Sequence, residues 1–102
     1  MFALGGIMKV EDFLKGLEVD KDGYVEFGEV SRGILKEQCQ HGSKFITGVS
    51  GYPMLADGLR TLNPDPGNYH AIKIHHDDVE EFVKRVAAYE REGYPDAMRW
   101  IE

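Results

Sequence analysis

Hydrophobic and polar positions alternate along this chain with two periods, one helical and one extended. Val10, Phe13, Leu14 and Leu17 stand at offsets 0, 3, 4 and 7, the spacing that gathers side chains on one face of a short helix over residues 8–17. Val30, Ile34 and Leu35 predict a second helix over 29–40, stopped by His41-Gly42. The β-formers in KFITGV, bounded by glycines, predict a strand over 44–49. Pro53 suits a first helical position, and Met54, Leu55, Leu59 and Leu62 extend a stripe from it for two to three turns. NPDPGN at 63–68 is a loop by its turn formers. In the segment after it, Ile72 and Ile74 alternate with Ala71, Lys73 and His75, which predicts a half-buried strand over 69–76. Val79, Phe82, Val83 and Val86 again lie at 0, 3, 4 and 7, predicting a helix over 79–92 capped by Asp77 or Asp78 and stopped by Gly93 and Pro95. The tail DAMRWIE forms a last helical turn in this reading, docking Met98, Trp100 or Ile101 on the core. These elements make a small single α+β domain spanning 1–102, with a short antiparallel sheet and three to four helices. Residues 1–7 read as a flexible leader, and no internal repeat is visible.

With 102 residues the chain has room for one hydrophobic core and no second domain. Its net charge of −6 opposes nucleic-acid and anionic-membrane surfaces, which need clustered Lys and Arg, and favours a basic protein partner or a cation. Cys39, the single cysteine, cannot close an internal disulfide, so a reducing cytoplasm is the simplest compartment. The opening apolar run is too short for a membrane helix.

The chemistry concentrates in EVDKDGYVEFGE at 18–29, where five carboxylates and two glycines share twelve residues. Two backbones fit it. In one, residues 17–19 and 24–30 are paired strands joined by Asp20-Lys21-Asp22-Gly23, with Val25 and Phe27 inward and Glu26 outward. In the other, the segment curls around a cation between two helices. The second resembles the calcium loop of the EF-hand family over about 30 residues. That resemblance implies a Ca2+ ion held by the carboxylates of Glu18, Asp20 and Asp22, the Tyr24 carbonyl, Glu26 through water and bidentate Glu29, with Gly23 at the sharp turn. It also implies a partner loop, yet residues 63–74 carry neither the acidic spacing nor a closing Glu.

Other candidates are weaker. His70, His75 and His76 beside Asp77 and Asp78, with Cys39 and His41, hold transition-metal ligand types, but on one strand the histidines split between two faces. Cys39 lacks the flanking signature of a nucleophile and reads as a buried or inert thiol. The expectation is therefore a non-catalytic interaction or regulatory module, acting on a protein partner or by self-association. A calcium-binding module is the alternative, and an enzyme using the His and Cys residues on a small molecule is a third.

Overall fold

The computed structural model describes residues 7–41, 53–68, 71–95 and 99–102. Helix α1 (Val10–Lys15) buries Val10 and Phe13, two members of the predicted stripe, and ends at Gly16. Strand β1 (Tyr24–Glu26) runs directly into α2 (Phe27–Gln40). A single 3-10 turn (Pro53–Ala56) precedes β2 (Thr61–Leu62), then β3 (Lys73–His75) runs directly into α3 (His76–Gly93). The sheet is antiparallel throughout in the order β1-β3-β2. The domain is thus α+β, with a short antiparallel sheet and three α-helices among the described residues.

A repeat emerges that the sequence conceals. β1 and β3 pair with Val25 opposite Ile74, Tyr24 opposite His75 and Glu26 opposite Lys73. Each strand turns into its helix at a residue of nearly the same conformation, Glu26 at φ −66°, ψ 131° and His75 at φ −64°, ψ 136°. The hydrogen bonds are reciprocal: Phe27 N donates to Ile72 O at 2.7 Å, and His76 N donates to Gly23 O at 2.7 Å. The chain therefore holds two strand-helix units related by a local two-fold through the Val25–Ile74 pair. Their buried positions correspond, Val25 with Ile74, Val30 with Val79 and Ile34 with Val83.

The core collects the inner faces of all three helices and the sheet. Val25, Val30, Ile74, Val79, Phe82, Val83 and Val86 are fully buried, and Phe27 meets Phe82 edge-on at 5.1 Å. Gly33 lets α1 approach α2, because a Cβ there would sit 3.0 Å from the Phe13 ring. Trp100 is buried with its indole N–H donating to the carboxylate of buried Glu90. Ile101 bridges Met8 in parallel, so the two described ends of the chain lie side by side.

Several expectations are corrected. The helix expected from Pro53 is one 3-10 turn, because the chain reverses at Asp57-Gly58 with Gly58 at φ +85°, and Leu62 goes to β2 instead. Of the strand expected over 69–76, the described residues put Lys73–His75 in β3, with Ile74 buried, Ile72 half-buried and outside the strand, and His76 taken into α3. The tail is extended at Trp100-Ile101, since pairing with Met8 satisfies its backbone better than one isolated helical turn. Cys39 is exposed near the end of α2, where the buried face is carried by Ile34 and Gln38. The strand expected at 44–49, Met98 and His70 lie outside the described residues.

Candidate functional site

The acidic stretch folds as a helix-turn-strand-helix run, and the paired-strand alternative for it is overturned. Residues 17–19 form no strand, β1 pairs with β3, and Phe27 begins a helix. Backbone bonding between the two arms is confined to the turn itself, with Asp20 N donating to Tyr24 O at 2.9 Å. The side-chain directions of that alternative nevertheless hold: Val25 and Phe27 are buried and Glu26 is exposed.

Asp20 organises the turn. Its Oδ1 accepts from the amides of Asp22 and Tyr24, both at 2.9 Å, and Gly23 N donates to Asp20 O at 3.0 Å. Gly23 takes φ +89°, a conformation that side-chain-bearing residues rarely adopt, and the His75 ring lies against it. Oδ2 of Asp20 receives the Lys73 ammonium at 3.1 Å. These contacts, the Tyr24 amide foremost and Lys73 next, hold the Asp20 carboxyl below its ordinary range.

Glu29, on the first turn of α2, folds back so that Oε1 accepts from Glu18 N at 3.0 Å, closing the loop at its entrance. The second unit repeats this closure. Asp78, equally placed on α3, accepts from Arg60 N at 2.9 Å. Here, however, the Arg60 guanidinium also binds Asp78, through Nε at 3.0 Å and Nη2 at 3.2 Å. That fork holds the Asp78 carboxyl below its usual range and the Arg60 guanidinium above its own. Among the described residues no Lys or Arg forms an ion pair with Glu29. Among the described residues, one closing carboxylate thus has a built-in cation and the other does not.

The donors fit a hard cation in kind, since the side chains of Glu18, Asp20, Asp22, Glu26 and Glu29 and the Tyr24 carbonyl all offer oxygen. In position they are not gathered: among the described residues no three His, Cys, Asp or Glu come together as a metal-holding group. Asp20 is turned to Lys73 and Tyr24 O to Asp20 N.

His75 and His41 make local structural contacts. His75 Nδ1 accepts from Asp77 N at 3.1 Å and so caps α3, the place expected for Asp77 or Asp78. His41 turns its ring to Glu37 O at 2.9 Å, two residues beyond Cys39.

A second feature escaped sequence reasoning. A groove of about 600 Å³ is lined by Phe27, Met54, Ala56, Leu59 and Ile72, with Asp57 as the charged residue among its described walls. Met54 is 69% exposed on its rim. The sequence places Met54 and Leu59 in one stripe, but only the turn at Gly58 sets them facing the start of α2. No helix among the described residues is long and apolar enough to cross a membrane. No protein-family model, curated protein or solved structure matches this chain.

Proposed function

We propose that this chain is a non-catalytic regulatory module whose loop at 18–29 takes a calcium ion. The observation that carries the reading is the pairing of two strand-helix units across Val25–Ile74 over a shared core, because calcium loops of the EF-hand kind normally work in pairs that share a small hydrophobic core. The second unit supplies that pairing with its own closing carboxylate, Asp78, already held by Arg60. Glu18, Asp20, Asp22, Glu26 and the Tyr24 carbonyl would hold the ion, and Glu29 would leave the Glu18 amide to bind through both oxygens. The ion would neutralise five neighbouring carboxylates, work that Lys73 does in part at Asp20. Calcium must displace that ammonium, which sets a modest affinity, at the weak end of the range for such loops.

Titration with calcium, followed by amide NMR and calorimetry, tests the reading. Shifts centred on Gly23 are expected, lost in Glu29→Gln and strengthened in Lys73→Gln. Absence of heat and of shifts near Gly23 at millimolar calcium, in the wild-type chain and in Lys73→Gln alike, sinks it.

The groove favours an accompanying role in binding a protein partner. Its apolar residues, the exposed Met54 and the Asp57 carboxylate, in a chain of net charge −6, fit a basic segment with apolar side chains. A short Lys/Leu helical peptide should shift the Met54 methyl and Ile72 signals while its Glu/Leu counterpart does not. Equal response to both peptides removes the charge argument. Light scattering on a concentration series identifies a second copy as the occupant if the Met54 signal moves as dimers form.

A further inference from the structure

We propose that Arg85 is the positioning residue of the groove: a latch on α3 that fixes the wall carrying Met54, and through it the affinity for the partner. The inference rests on the partner-binding reading of the groove. The wall is the turn at 54–59, held internally by two short-range bonds, Asp57 N to Met54 O at 3.3 Å and Leu59 N to Ala56 O at 2.9 Å. It reverses at Gly58, whose φ of +85° is a backbone requirement and not a packing one, since a Cβ there would meet nothing within 4 Å. Such a turn has little regular structure to define its distance from the body of the domain. Ala56 anchors it in the core, and the Arg85 side chain crosses from α3 to donate from Nη1 to Leu55 O at 3.0 Å and Asp57 O at 2.8 Å. Nε of the same guanidinium donates to Glu81 Oε2 at 3.1 Å, one helical turn earlier, which fixes the direction of the fork.

One planar group therefore reads two carbonyls of the wall and one carboxylate of the helix. A lysine ammonium keeps the charge but lacks the fork that makes these contacts together. The carbonyls belong to the residues on either side of Ala56, so releasing them frees Met54 and Leu59, two of the groove's apolar contacts, to move relative to Phe27 and Ile72. Arg85 itself does not line the groove, which separates positioning from direct contact.

The test compares the full chain with Arg85→Lys and Arg85→Gln by amide hydrogen exchange and by titration with the Lys/Leu peptide. Exchange at Leu59 and Asp57 is expected to rise at least tenfold in both variants, while exchange at Val30 and Ile34 changes by less than twofold. Peptide affinity should fall by at least fivefold, with Arg85→Lys giving no rescue. Unchanged exchange at Leu59 and Asp57 overturns the latch, as does equal acceleration at Val30 and Ile34, which would make Arg85 a general stabiliser. Faster exchange confined to the wall, with no peptide bound by any of the three proteins, sustains the latch and removes the partner reading instead.

Discussion

Gly23 carries more of this fold than its size implies. At φ +89° it turns the chain from the Asp20 hub into β1, its carbonyl accepts from His76 N, and the His75 ring packs over it. Gly23→Ala should lower stability by about 1–2 kcal/mol from the left-handed backbone alone, and the Cβ would also stand 3.2 Å from His75 Nε2. Urea denaturation measures the loss; an unchanged midpoint refutes the assignment. The carboxylates predict a pH dependence. Asp20 and Asp78 have folded pKa values below the ordinary value of about 3.9. Above that value both folded and unfolded states are ionised and the full stabilisation is present. As pH falls through it towards the folded values, the unfolded chain takes up protons first and stability declines. Asp78→Asn should flatten this acid decline in a series of urea midpoints, whereas Asp77→Asn, whose carboxylate stands farther from Arg60 at 3.6 Å, should leave most of it.

At the scale of elements, the two strand-helix units explain why three-residue strands suffice. Neither β1 nor β3 makes a stable ribbon alone, but each is continued by a helix whose first buried residues, Phe27 and Val79, close over the Val25–Ile74 pair. Ile74→Ala empties the centre of that arrangement and should destabilise by about 2–5 kcal/mol, read by thermal or urea unfolding. A loss below about 1 kcal/mol would mean that the pair is peripheral. Glycine in α2 is explained at the same scale: Gly33 gives up helix propensity but admits the Phe13 ring, so the weakness seen in the sequence is the contact surface for α1.

At the scale of the molecule, one core joins α1, α2, α3, the sheet and the described C-terminal residues. Trp100 is the only tryptophan and is 1% exposed within the common core, which makes it a reporter on that core. Its fluorescence should shift to the red in the same transition as the helical circular dichroism. A red shift that precedes the loss of helix would show that residues 99–102 undock independently.

The amino-acid sequence alone located α1, α2 and α3, because a period of 3.6 with matching side chains leaves few alternatives there, but the stripe from Pro53 misled, since Gly58 breaks it. Val79, Phe82, Val83 and Val86 are all buried as their spacing requires, and α2 ends at Gln40 before His41 as expected. It also located the acidic turn and Gly23. It was ambiguous wherever pairing partners are distant, since strand assignment depends on which edge a segment meets. The paired-strand backbone for 18–29 was therefore excluded by Lys73–His75, some fifty residues on, which pairs with β1 where residues 17–19 do not. The groove, the Arg85 contacts and the two-fold relation of the units likewise exist only in the tertiary structure. They depend on directions that chain reversals such as Gly58 impose, and a linear pattern of apolar and polar residues does not encode direction.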